Sequence, residues 1–368
     1  MAFEVKIFQQ PDKNLKEIWS SLQANADFYV FQSYTWFENW SDIYLKKNKK
    51  FNLRVVVIEH NKKVICILPF QVESRFKLNI LRWAGDEQLD YCCPILDKTF
   101  KFNKSNFKEI LEKTFSGLKK IDILQLRRQP KTINHVPNPF VFYLSNYFDS
   151  KNHFISLPDK WKKYENEVLK KKFKYHNKRS KNALKKIGKL RFKIFKSKEE
   201  NNKILNYLFE QKNTRLSSKK AKILFGKKEY DFYNKLFTQE EKEFQIHLSS
   251  LELNNKILAM HLGVIHNKRF YYLIPSMAQE LEKYSPGRLL TTLLIKWSIS
   301  KKLEFFDLAL GDEPYKEIWG NNFSEYFNHI SSKSFAGLMF VFFFKLKYLL
   351  KHYDKNIKFI KILKKFKI

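Results

Sequence analysis

The chain is short of cysteine, glycine, arginine and long apolar runs, and each shortage excludes something. Three cysteines stand in 368 residues: Cys66, Cys92 and Cys93. There is no CxxC pair, and the adjacent Cys92 and Cys93 are poorly placed to bridge each other. Neither a disulfide scaffold nor a zinc site is expected, nor any other metal. No window of 18 apolar residues occurs; the best run, FAGLMFVFFF at 335–344, stops at ten and is too short for a spanning helix. The opening MAFEVKIFQQPDKN lacks the apolar core of a secretion signal. The expected location is the cytoplasm, or the inner face of a membrane as a peripheral protein. Arginine supplies only ten of the 70 basic residues, few for a protein that reads nucleic acid or phosphate through bidentate contacts.

What is abundant is lysine, asparagine, isoleucine and phenylalanine, a bias that A- and T-rich codons also produce. The net charge is +33, a field that draws nucleic acid, acidic headgroups and phosphorylated cofactors. With 44% hydrophobic and 17% aromatic residues, a sizeable core is assured. The length exceeds one ordinary core. Residues 1–150 are read as a first domain, 151–330 as a second, and 331–368 as a basic amphipathic tail.

Two stretches signal the same supersecondary unit. RVVVIEHNKKVICILPF (54–70) and FQIHLSSLELNNKILAMHLGVI (244–265) each place β-branched runs around an Asn-Lys turn. Asn61 and Asn254 fall at matching offsets, as do Lys63 and Lys256, as a duplicated unit would leave them. RFYYLIP (269–275) adds a strand. KYSPGRLLTTLLIKWSISKK (283–302) then carries Leu289, Leu290, Leu293, Leu294 and Trp297 on one helical face. FFDLALGDEPYKEIWG (305–320) is a further strand that breaks at Gly311 into a polar run closed by Trp319. A helix start between two strands suits a phosphate or other oxyanion; Ser285 and Pro286 equally fit a plain helix cap. His261, inside LAMHLGV, is either a general base or a satisfied core group.

The combination of KYSPGRLL, an apolar helix and FFDLALGDEPYKEIWG resembles the GNAT-related acyltransferases of the CelD-like type, associated with cellulose and exopolysaccharide biosynthesis. More distantly it is similar to the Fem peptidyltransferases, which are two GNAT-like units in one chain. LPF (68–70), RWAGDEQLDYCCPIL (82–96) and KRSKNALKKIGKLRFKIF (178–195) match that pattern more loosely. The resemblance implies an α/β (α+β) chain of two tandem GNAT-like units, each a mixed central sheet flanked by helices, with the basic tail appended. It implies an acyltransferase that uses acetyl-CoA or another acyl-CoA on a sugar or amine acceptor, polar and small or lipid-linked, in envelope or polysaccharide synthesis.

Tyr284, Ser285, Gly287, Arg288 and Leu289 would then line the donor loop. The loop departs from the superfamily's Arg/Gln-x-x-Gly-x-Gly/Ala form in having one glycine and Pro286, which has no N–H. Tyr315-Lys316-x-x-Trp319 has the form of a Fem motif whose lysine meets negative charge, so Lys316 would stabilise the oxyanion. Asp307 would orient Lys316 or the acceptor, Tyr315 protonate the leaving thiolate, and Asp312 act as a base or hold a sugar hydroxyl.

Two other readings follow from the charge. One is a Fem-like enzyme using aminoacyl-tRNA, or a tRNA or RNA binder, with the basic segment 160–196 on the phosphates and Phe173, Tyr175, Phe192 and Phe195 stacking bases. The other concerns the tail: 335–368 interleaves apolar and lysine residues and would either dock on an anionic membrane surface or pack on the second domain.

Overall fold

The computed structural model describes residues 3–46, 48, 50–118, 120–196, 198–218, 225–238, 243–311 and 313–353. The chain divides into two compact units. One comprises Met1–Phe28, Lys47–Asp149 and Tyr326–Ile368; the other comprises Tyr29–Lys46 and Ser150–Glu325. Both are mixed α/β.

The first unit contains β1 (Phe3–Phe8), α1 (Lys13–Gln23), β2 (Phe51–His60), β3 (Lys63–Arg75), β4 (Leu78–Trp83), α3 (Lys104–Leu118), β5 (Ile123–Pro130), the end of β12 (Asn322–Ser332) and α9 (Phe335–Tyr353). Its sheet runs β1-β2-β3-β4-β5-β12. Every neighbouring pair is antiparallel except β4 and β5, which are parallel through Ile80↔Ile123 and Leu81↔Leu124. Val55 to Ile58 are fully buried, so this strand carries apolar side chains on both faces.

The second unit contains α2 (Tyr34–Trp40), β6 (Asn146–Ser156) from Ser150 on, α4 (Trp161–Glu167), α5 (Lys171–Ile187), β7 (Leu190–Phe195), α6 (Lys198–Ser218), α7 (Lys227–Thr238), β8 (Gln245–Leu253), β9 (Lys256–His266), β10 (Arg269–Met277), α8 (Pro286–Ser300) and β11 (Phe305–Leu310). Its sheet runs β6-β11-β10-β9-β8-β7, with β10 and β11 parallel. The plan of the first unit therefore recurs: a three-stranded meander, a helical crossover and a parallel strand. α8 packs Leu289, Leu290, Leu294 and Ile295 on Leu258, Phe270 and Phe306. On the other face α6 packs Leu205, Leu208 and Phe209 against Leu248, Met260 and Leu262. Trp36 of α2 stands edge-on to Phe232 at 5.3 Å.

Both predicted hairpins form, and asparagine builds their turns. Asn61 and Lys62 have φ of 52° and 62°, and Asn254 and Asn255 of 50° and 67°. Two consecutive left-handed residues make the two-residue turn that matches strand twist, and asparagine tolerates that region best after glycine. A chain with nine glycines has used asparagine instead.

Candidate active site

The site is built where β10 and β11 part. The two parallel strands pair only through Arg269↔Phe305, Phe270↔Phe306 and Tyr271↔Asp307. Beyond that point the strands are no longer paired, and α8 starts at the end of the connection from β10.

Asp307 pins the base of this opening. Its side chain is fully buried, a costly place for a carboxylate without partners. Oδ2 accepts from an Arg269 guanidinium nitrogen at 3.1 Å, and Oδ1 accepts from the Ala309 amide at 2.9 Å. Arg269 in turn lies over the Phe305 ring at 4.4 Å. The bond to Ala309 holds that residue at φ 61°, and Gly311 follows at φ 122°. Left-handed backbone at a non-glycine residue is strained, so the end of β11 is a bend held by its own side chains.

Lys316 completes the brace. Its ammonium is buried and donates to the carbonyl oxygens of Ala309, Leu310 and Gly311 at 3.2, 2.8 and 3.4 Å, and pairs with Glu313 at 2.8 Å. Three acceptors and a carboxylate saturate a group with three donors. Trp319 is buried edge-on to Phe173 at 4.5 Å, and its carbonyl accepts from Tyr164 Oη at 2.9 Å.

Tyr315, the residue before Lys316, is 47% exposed. Partial burial, with help from the Glu313 carboxylate, pushes its phenol up to about 12. It is therefore a protonated donor at neutral pH. Behind it lies a pair of hydroxyls absent from the sequence reading. Tyr272 Oη and Thr291 Oγ1 are 3.0 Å apart, and Thr291 donates to the Gly287 carbonyl at 3.0 Å. Burial raises the Tyr272 phenol, and the nearby Tyr315 adds to the shift.

His261 is stacked on Tyr272 with ring centroids 4.1 Å apart and is fully buried. Neither of its ring nitrogens has a hydrogen-bond partner among the described residues, and burial holds its pKa well below the ordinary histidine value. It stands as a neutral ring behind Tyr272. Asp312 lies outside the described residues.

The donor-loop residues split into two groups. Ser285 is left-handed at φ 51°, and Pro286 opens the helix. The Leu289 amide is committed to the Ser285 carbonyl at 3.2 Å. With Pro286 lacking an N–H, the first-turn donors left for an anion are the amides of Gly287 and Arg288. A Cβ on Gly287 would stand 3.2 Å from Met277 Sδ, so this turn sits tight against β10. Leu289 itself is core, and Tyr284 packs at the core's edge. The Arg288 guanidinium turns away, donating to Asn177 Oδ1 at 3.0 Å and Ser180 Oγ at 3.1 Å of α5. Beside it, α4, α5 and α8 line a groove of about 450 Å³ that includes Trp161, Leu293, Lys174, Lys178, Lys181 and Lys296, with one carboxylate, Glu165, among them.

Of the four aromatics read as base-stacking groups, Phe173 and Phe195 are core residues, Phe192 packs at the core's edge, and Tyr175 is exposed. No cluster of histidine, cysteine or acidic residues suited to a metal ion occurs among the described residues. No helix among them is long and apolar enough to cross a membrane.

Residues 171–317 match the acetyltransferase (GNAT) domain family. The chain carries a GNAT acetyltransferase domain. It is on that ground an acyltransferase, and the parting of β10 and β11 lies within the matched segment. Solved structures agree on the fold. FemX aligns with TM-score 0.56 at 11% identity, over 89% of this chain and 97% of its own. A conserved protein of unknown function from Bacteroides thetaiotaomicron aligns at 0.55 and 10%, over 88% and 99%. The C-terminal domain of a putative lysylphosphatidylglycerol synthetase from Agrobacterium fabrum aligns at 0.51 and 10%, over 89% and 94%. No curated protein matches the chain.

Proposed function

We propose that the second unit transfers an acyl group from acyl-CoA to an amine or hydroxyl of a sugar or other polar acceptor, as in the CelD-like enzymes of polysaccharide and envelope synthesis. The observation that carries this reading is the parting of β10 and β11 after three residue pairs, with a helix start and a protonated phenol at the opening. The Gly287 and Arg288 amides take a donor phosphate at the positive end of α8. The lysines of the adjoining groove supply countercharge for the remaining phosphates. The acceptor nitrogen or oxygen bonds to the thioester carbon, the C–S bond breaks, and the departing thiolate takes the Tyr315 proton. The acceptor's own proton passes to solvent, from which the half-exposed Tyr315 is reprotonated.

On this reading Lys316, Asp307 and His261 are positioning residues. Lys316 and Asp307 set the bend that presents Tyr315, and His261 backs the Tyr272 ring.

Calorimetry with acetyl-CoA and longer acyl-CoAs at moderate salt tests the donor, with ADP as the control for plain attraction to a +33 chain. Binding well above ADP supports the reading. A flat titration for every thioester sinks it and moves an aminoacyl-tRNA or carrier-bound donor forward, which the missing Pro286 amide would suit. Tyr315→Phe should leave acyl-CoA affinity in place and lower kcat by about 10²-fold or more, the range for loss of a general acid. Lys316→Met should instead lower stability, by about 2 kcal/mol for stranding buried carbonyls. A Lys316→Met protein as stable as wild type but inactive would return the oxyanion role to Lys316.

A further inference from the structure

The helix α9 has two faces with opposite fates. Gly337, Phe340, Val341 and Phe344 face inward, and the three apolar ones pack with Ile80, Ile123 and Ile330 of the first unit's sheet. The outward face is Phe335, Leu338, Met339, Phe342, Phe343 and Leu346, every one of them exposed; Phe335 is 80% exposed and Phe342 59%. Offsets of 0, 3, 4, 7, 8 and 11 put them on one stripe, about 17 Å long at 1.5 Å per residue. Isolated exposed apolar residues are ordinary on a soluble surface, but a contiguous stripe of three phenylalanines, two leucines and a methionine marks an interaction surface.

The helix is fixed in this orientation. Ser334 Oγ donates to Asp122 Oδ1 at 2.6 Å and accepts from the Gly337 amide at 3.1 Å. The Lys333 amide donates to the Asp122 carbonyl at 2.7 Å. A Cβ on Gly337 would come within 2.2 Å of that same carbonyl oxygen, so only glycine lets the helix lie this close. Rotation of the stripe inward would break all of these contacts.

Charge decides the occupant. From Lys345 to the last residue the sequence holds nine lysines and a single acid, Asp354, in a chain already at +33. A second copy of this chain would bring the same positive charge to the contact, whereas an anionic lipid surface complements it. An apolar stripe followed in the sequence by a run rich in lysine is the composition that seats a helix in the headgroup layer.

We infer that α9 is a membrane-docking helix, with Phe335, Leu338, Met339, Phe342, Phe343 and Leu346 entering an anionic bilayer surface. The inference is independent of the acyl-transfer reading.

The test is co-sedimentation of the full chain with vesicles of phosphatidylcholine containing phosphatidylglycerol, and with phosphatidylcholine alone. Phe342→Ser with Phe343→Ser leaves the charge and the inward face untouched. It should weaken binding to the anionic vesicles at least tenfold, while Phe76→Ser, which alters an equally exposed ring elsewhere, changes nothing. Phe335→Ser is the milder second variant, with about a threefold loss expected, and decides the matter should the double variant misfold. Two results overturn the inference: vesicle binding that ignores the phenylalanines, or a lipid-free dimer that the double variant turns into a monomer. The first would reduce it to attraction by lysines, and the second would make the stripe a contact between copies.

Discussion

The two units share one plan and differ at the same place in it. In each, a meander ends in a parallel pair joined through a helix. In the first unit the end of β4 is filled. Arg82 is buried against Glu73 at 2.5 Å and Asp86 at 2.8 Å, and Trp83 stacks on Phe70 at 4.7 Å with Phe140 edge-on at 5.1 Å. In the second unit the corresponding end carries hydroxyls: Tyr272, Thr291 and the half-exposed Tyr315. The connections differ as well, 84–103 in the first unit and 278–285 in the second. A short connection brings the helix start directly to the parted strands. A long one lets side chains plug the gap. The topology alone confers no chemistry; what fills the end of the strand does.

The first expected difference comes from removing the buried aspartate of each unit. Asp307→Asn takes away the carboxylate paired with Arg269, leaving an arginine buried beside an amide; the expected loss is about 3 kcal/mol. Asp86→Asn leaves Arg82 its bond to Glu73. Burial already raises the Asp86 pKa despite the neighbouring Arg82, so its charge is held at a cost. The expected change is within about 1 kcal/mol. Urea unfolding of the two variants at neutral pH makes the comparison, and equal losses would mean that the two ion pairs serve alike.

The next effect concerns pH and the histidines of the second unit's sheet. In the second unit, burial brings His247 and His266 down to about 4 and His261 well below its ordinary value. Below pH 6.5 the unfolded chain takes up protons that these buried rings refuse, so stability falls as pH drops from about 6.5 toward 4 and is flat above. Each histidine accounts for up to about 3 kcal/mol at the acid end of that window. Thermal unfolding across pH 4 to 7.5 should show the loss, and His247→Phe should make it shallower. A profile unchanged by that substitution would mean that His247 is hydrated rather than buried dry.

How much of this could be read from the sequence depends on whether the partner was local. The hairpins were legible because both strands and their turn lie within some twenty residues. The face of α8 was legible from its leucine spacing. Asp307 stood out as an acid in an apolar strand, but its partner Arg269 is 38 residues away and appears only once β10 and β11 are in register. Lys316 carried a motif signal, yet the motif does not say whether the ammonium turns to a ligand or back onto its own chain. Tyr272 and Thr291 carry no signal of their own in the sequence; only the helix–sheet packing brings their hydroxyls to 3.0 Å. Phe173 and Phe195 show the converse error, where a basic neighbourhood suggested stacking groups and the core had claimed the rings.

The smallest effect tests the matched turns themselves. Lys62 holds φ 62° at the tip of the first hairpin, a conformation glycine adopts without the Cβ penalty. Lys62→Gly should therefore stabilise by about 0.5 kcal/mol, the relief of strain offset in part by a freer unfolded chain. Glycine at the preceding turn position of the second hairpin, Asn254, should go the other way. Asn254 Oδ1 accepts from the Lys189 amide at 2.8 Å, and the same amide group lies where a Cβ on Gly188 would stand. Asn254→Gly removes that bond and should cost about 1 kcal/mol. Opposite signs at two turns of one geometry would show that the second asparagine serves a tertiary contact as well as the turn; two stabilising results would mean that both serve the turn alone.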